Sequence, residues 1–216
     1  MIDIVHHIEA VQREVGEGEI PAGVGKAIRL RRDYEAPIDD VWDALTSPER
    51  IGRWFLPISG DYRLGGRYQF EGNAGGEIVA CERPNRLKVT WVYGDTGSPA
   101  DISELELRLS AIDAETTRLE LEHTAVVPDE MWGEYGPGAV GVGWDGGFLG
   151  LALHLATGRT VEDPIAWQVS DEGREFNRLS SESWRRAHEA AGADPATAAR
   201  SAANTLAFYA PPPEAT

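Results

Sequence analysis

The sequence predicts an α+β fold: a curved antiparallel β-sheet wrapped around one long C-terminal helix, with helical extensions at both ends. Three observations predict it. Apolar and polar residues alternate in successive short runs between Tyr68 and His123, the period of half-buried strands. Glycine-, proline- and asparagine-rich clusters separate those runs, as hairpins require. A single long helical stripe follows at Ala139–Ala156, where Val140, Trp144, Phe148, Leu151 and Leu155 step by 4, 4, 3 and 4. That helix alone is long enough to cover the apolar face of the sheet.

The elements follow in order. Ile4, Ile8, Val11 and Val15 are spaced 4, 3 and 4, one stripe of a short amphipathic helix. Gly16, Gly18, Pro21, Gly23 and Gly25 then end it, so residues 1–25 form an N-terminal helical extension. Residues 26–36 read as a strand with Ala27, Ile28, Leu30 and Tyr34. Pro37 opens a helix over Ile38–Thr46, with Ile38, Val41, Trp42 and Leu45 on one side. Ser47-Pro48 starts a second short helix over about 48–55 that carries Ile51, Trp54 and Phe55.

About six antiparallel strands come next. Tyr68 and Phe70 share one face. Leu87, Val89, Trp91 and Tyr93 oppose Lys88 and Thr90, and Leu105, Leu107 and Leu109 oppose Glu104, Glu106 and Arg108. Leu119, Leu121 and His123 oppose Glu120 and Glu122. One face is therefore covered and the other wet. The breaks are Leu64-Gly65-Gly66, Gly72–Gly76, Arg83-Pro84-Asn85 and Gly94–Pro99. Residues 128–138 read as a loop with Trp132, Tyr135 and Pro137. In the long helix, Gly143, Gly147, Gly150 and His154 form a neighbouring stripe. Each interior glycine costs about 0.5–1 kcal/mol relative to alanine, so either close backbone approach or room for a bound molecule must offset it. Asp163-Pro164 begins a short helix, about 171–191 is helical with Phe176 and Trp184 inward, and Asp194-Pro195 restarts a last helix over about 195–208. The domain at 26–157 thus precedes a helical extension at 158–210 and a tail at 211–216.

With 20 Lys and Arg against 36 Asp and Glu in 216 residues, the formal net charge is −16. Such a chain repels phosphate backbones and anionic lipid, which argues against nucleic-acid and membrane-surface partners. No run approaches the 18 or more apolar residues of a membrane span. The segment Met1–His7 lacks a basic region followed by an apolar stretch, so a cytoplasmic location is expected. Cys81 alone allows neither an internal disulfide nor a cysteine metal cage. No metal site and no cofactor are expected: His-Glu-x-x-His, Cys-x-x-Cys and a phosphate loop are all missing, and His6-His7 has the wrong spacing.

Seven Trp are present, and Trp both fills cores and walls apolar cavities. A sheet gripping a helix leaves a cavity between them. Its expected lining is Trp54, Phe55, Tyr68, Phe70, Trp91, Leu107, Leu121, His123, Trp144 and Phe148, an apolar wall with few polar groups. Trp42 reads as a structural anchor. His123 is the one candidate catalytic group, as a general base or ligand-orienting residue; the bland alternative is a hydrogen-bonded histidine at the core's edge. His154 has no acidic partner at helical spacing. Asp145 and Glu130 either place a carboxylate at the pocket mouth or are solvated. A reactive thiol wants a basic neighbour, and Arg83 lies two residues beyond Cys81, but Cys81 reads as a plain strand residue. No Gly-x-Ser-x-Gly elbow holds a serine nucleophile.

Five blocks over about residues 26–157 resemble a known family. They are Tyr34–Glu49, Arg53-Trp54-Phe55, Leu64-Gly65-Gly66, Pro84–Trp91 and Gly143-Trp144 with Phe148-Leu149. Together they are similar to the activator-of-heat-shock-protein-90-ATPase-like branch of the SRPBCC/START-like superfamily, which includes the birch pollen allergen. The resemblance implies a helix-grip fold. It also implies several activities: binding of lipids and hydrophobic ligands, polyketide cyclisation, and co-chaperone work. The reading favoured is binding of a small hydrophobic or amphipathic molecule between sheet and helix. The alternatives are a cyclase- or hydrolase-type enzyme using the same cavity, and a module that binds a protein partner. Oligomeric state is not legible.

Overall fold

The computed structural model describes residues 2–94, 102–161 and 163–211. In chain order it contains α1 (Ile4–Glu9), β1 (Gln12–Ile20), β2 (Gly23–Tyr34), α2 (Ile38–Thr46), α3 (Pro48–Trp54), β3 (Ile58–Gly60), β4 (Arg67–Phe70), β5 (Gly75–Glu82), β6 (Arg86–Trp91), β7 (Ser103–Ala111), β8 (Thr117–Ala125), α4 (Asp129–Tyr135), α5 (Gly138–Thr157), α6 (Pro164–Val169), α7 (Asp171–Ala190) and α8 (Pro195–Tyr209). The strands make an eight-stranded antiparallel sheet in the order β1-β2-β8-β7-β6-β5-β4-β3. Helix α5 lies across its concave face, and the main core fills the space between them. The fold is the expected α+β helix grip. The expected loop at Gly94–Pro99 falls, apart from Gly94, outside the described residues, as does the tail beyond Pro211.

Two expected elements are different. The helix expected to run on through Val15 stops at Glu9, and Gln12–Ile20 is an edge strand paired with β2, Val15 opposite Ile28. Residues 12–20 therefore belong to the sheet rather than to a helical extension. Val11, Arg13 and Val15 face inward together, which is a period of two. Because the middle residue is an arginine, the apolar spacing alone mimics a helix. The second difference is α4, where a loop was expected. Asp129 and Glu130 occupy its first turn and Gly136, at φ 58°, ends it. None of its residues is buried, so the helix carries no apolar stripe to announce itself.

The convex face is less wet than expected. Glu104 and Glu106 are buried. They lie on β7, a central strand, beneath the stems of basic neighbours: Lys88 Nζ is 2.6 Å from Glu104 Oε2, and Arg86 Nε and Arg108 Nη2 are each 2.7 Å from Glu106 Oε1. Long basic side chains cover apolar and polar surface alike while their own charges stay near water.

Beyond the sheet, α7 packs on α8, α5, α1 and β1. A second apolar cluster joins Ile4 and Ile8 of α1 to Leu149 of α5 and Phe176 of α7. Helix α5 is thus enclosed from both sides. Contrary to the expectation from apolar runs, α5 is long and apolar enough to cross a membrane, the one such helix among the described residues. Its hydrophobicity has a different outlet here, since the sheet takes one face and α7 and α8 take another.

Candidate functional site

A cavity of about 150 Å³ lies between the concave sheet face and α5. The alternation of β4, β6, β7 and β8 supplies Tyr68, Phe70, Trp91, Leu107 and Leu121; α3 and the residue after it supply Trp54 and Phe55; α5 supplies Trp144 and Phe148. All nine expected apolar residues line it. The aromatic rings form one connected wall. Phe55 stacks on Trp144 at 6.3 Å with planes 11° apart, Trp144 meets Trp91 at 5.0 Å, and Trp91 meets Phe70 at 5.7 Å. Such pairs are worth about 0.5–1.5 kcal/mol each beyond their buried area.

Trp42, the expected anchor, is buried in the core and does not reach the cavity. Further lining comes from Leu45, Thr46, Ile51, Ile58 and Tyr62 before the central strands, and from Gly147 and Leu151 on α5. Cys81 also lines it, which alternation from Ile78 would deny. The register of β5 against β6 shifts between Ile78 and Ala80, so Cys81 comes opposite Leu87 and turns to the concave side. Tyr62 and Cys81 are the exposed members of the lining and mark its solvent end.

His123 stands behind this wall rather than in it. The Trp144 Nε1–H donates to His123 Nδ1 at 3.0 Å, which places the imidazole proton on Nε2. Nε2 lies 2.8 Å from Ser103 Oγ, and that hydroxyl donates to the Trp91 carbonyl at 2.6 Å. Each atom in the relay has its direction set by the next. Burial lowers the His123 pKa from 6.5 to about 4, because the charged ring would be desolvated. The ring has no lone pair left for a substrate, so a general-base role is not supported by this geometry; the histidine holds the two cavity tryptophans instead. Other polar lining atoms are committed in the same way. Tyr68 Oη donates to Thr90 O at 2.8 Å, Trp54 Nε1 to Ala44 O at 2.9 Å, and Thr46 Oγ1 to Trp42 O at 2.7 Å.

Asp145 is neither at a pocket mouth nor solvated. It is 2% exposed, on the side of α5 away from the cavity. Arg13 Nε donates to both its oxygens, at 3.1 and 3.0 Å, and Trp184 Nε1 donates at 3.1 Å, with Ser180 Oγ–H as a further donor. Burial pushes its carboxyl pKa up and these donors pull it back; a permanently charged guanidinium on both oxygens keeps it a carboxylate. Glu130 is exposed. His154 is buried and receives Arg50 Nε at 3.3 Å. Among the described residues no group of three His, Cys, Asp or Glu is placed to hold a metal ion.

A helix gripped by a curved antiparallel sheet, with an apolar cavity between, defines a START-like domain. Residues 35–154 match the family described as Activator of Hsp90 ATPase homolog 1-like protein, and the chain belongs to that family. It is similar to CalU16 from Micromonospora echinospora. The crystal structure of CalU16 is 37% identical, with a TM-score of 0.65, and the match covers 85% of this chain and 99% of that one. The CalU16 solution structure gives 38% identity and a TM-score of 0.67, covering 85% and 97%. DynU16, a protein in the dynemicin biosynthetic locus, is 25% identical with a TM-score of 0.51, covering 62% of this chain and 48% of that one. No curated protein matches the chain.

Proposed function

We propose that this protein binds a small hydrophobic or amphipathic molecule in the cavity between the sheet and α5, apolar part inward and any polar group toward Tyr62 and Cys81. The observation that carries the reading is the lining. Its rings and aliphatic groups surround about 150 Å³ of space, while the polar atoms of Thr46, Trp54, Tyr68 and Trp144 already bond within the protein. A ligand held there gains from losing water rather than from hydrogen bonds. Burying ~200 Å² of apolar ligand surface at ~25 cal/mol/Å² contributes about 5 kcal/mol before ordering costs. The family membership and the place of DynU16 in a biosynthetic locus support a small-molecule role.

The test uses Gly147. A Cβ there would meet the Phe55 and Trp144 rings at 3.9 Å, ordinary contact, so Gly147→Leu projects a larger side chain into the cavity from a position that tolerates one. Titration with 1-anilinonaphthalene-8-sulfonate is expected to give strong fluorescence with the wild type and at least tenfold weaker binding in the variant, with matching circular dichroism. Equal binding by both folded proteins refutes the cavity as the site. Native mass spectrometry of protein purified from its own host then identifies a retained molecule.

A further inference from the structure

Two arginines lie inside the N-terminal end of the sheet, on the side remote from the aromatic cavity wall. Arg13 on β1 pairs with Leu30 on β2, and Arg32 lies two residues beyond Leu30 on the same face. That diagonal is within reach of long side chains. Arg32 is 6% exposed and the Arg13 side chain 6%. The Arg32 guanidinium lies 5.1 Å from the Tyr34 ring centroid, and its Nη2 donates to His7 Nδ1 at 2.9 Å.

The donors exceed the acceptors. Arg13 spends Nε on Asp145 and Nη1 on the carbonyls of Ile8 and Val11, at 3.1 and 2.8 Å. Three buried guanidinium nitrogens have no partner among the described residues: Arg13 Nη2, Arg32 Nε and Arg32 Nη1. Buried polar groups are almost always hydrogen-bonded, and buried charges are almost always compensated. The charges do not balance either. The groups facing Arg32 are Arg13, Asp145, Tyr34 and His7. Asp145 neutralises Arg13. Burial keeps the Tyr34 phenol protonated, and burial with the neighbouring Arg32 holds His7 neutral, at a pKa of about 4. One positive charge is left over.

We propose that Arg32, with the free Nη2 of Arg13, forms an internal site for one small monovalent anion, with chloride the simplest occupant. The excess of a single charge sets the valence. A bound anion would tie β2 to α1 through His7 and to β1 through Arg13.

Chloride titrated against gluconate at constant ionic strength tests this by thermal melting. Each tenfold rise in chloride above its dissociation constant is expected to raise the Tm of the wild type by about 3–5 °C. Arg32→Met keeps the apolar stem and removes the charge, and its Tm is expected to be independent of chloride. Crystals grown in bromide should show an anomalous peak in contact with Arg32 Nε or Nη1. Equal chloride slopes in wild type and variant, zero included, overturn the proposal. So does a bromide crystal without that peak, a readout that stands even if the variant does not fold.

Discussion

Asp145 shows how one polar residue is made tolerable in a core. Alone it would be an uncompensated charge at the centre of the molecule; with Arg13, Ser180 and Trp184 around it, it joins a helix, an edge strand and the C-terminal extension at one point. Breaking a buried pair by removing one partner costs about 3–5 kcal/mol, so Asp145→Ala is expected to lower urea stability by that amount, and Asp145→Asn by less because it still accepts hydrogen bonds. His123 makes a second prediction. Its pKa is about 4 in the folded protein and near 6.5 unfolded, so between those values the unfolded chain binds more protons. The contribution is fully present above pH 6.5 and is lost as pH falls toward 4, an amount of about 3 kcal/mol. Urea titrations at pH 7 and pH 4 should therefore show a larger loss in the wild type than in His123→Phe. An equal loss would place the acid sensitivity elsewhere.

At the scale of the element, α5 explains its own glycines. A Cβ on Gly141 would stand 2.3 Å from the buried Trp184 ring, and one on Gly150 would stand 2.7 Å from the Trp54 carbonyl oxygen. Those two positions permit close approach. Gly147 instead leaves space in the cavity. Gly146 has nothing within 4 Å of where its Cβ would be. The two alternatives raised by the glycine stripe, close approach and room, are thus both realised, at Gly150 and at Gly147. Gly146→Ala should stabilise the protein by about 0.5–1 kcal/mol through helix propensity, and Gly141→Ala should destabilise it by about 1–3 kcal/mol through overpacking against a ring that cannot move aside. Chemical denaturation of the two variants checks both signs.

For the molecule as a whole, the C-terminal helices belong to the same buried structure as the sheet. Trp184 of α7 is 1% exposed and sits against α5, and α8 anchors the start of α5 through Tyr209 Oη, which donates to Ala139 O at 2.9 Å. A chain ended at Gly158 would uncover the outer face of α5 and strip Asp145 of two donors. It is expected to lose cooperative unfolding and to bind hydrophobic dye over its surface. A truncated chain with a dispersed NMR spectrum and a sharp transition would show the extension to be an independent addition.

The sequence by itself determined the architecture and most of the cavity wall. Strand alternation puts Tyr68, Phe70, Trp91, Leu107 and Leu121 on one face wherever the sheet is, and a 3.6-residue period puts Trp144 and Phe148 on one side of α5; neither depends on distant contacts. Tertiary structure decided everything that turns on a polar residue or a break in register. Arg13 hid a strand because its inward orientation needs Asp145, 132 residues away. Cys81 reached the cavity through a bulge that only pairing with β6 produces. His123 became a support for Trp144 instead of a free base because its two nitrogens met an indole and a serine brought in from other elements. Apolar residues need only a side to face, which periodicity supplies, whereas a buried polar atom needs a particular partner, and only the folded chain says which.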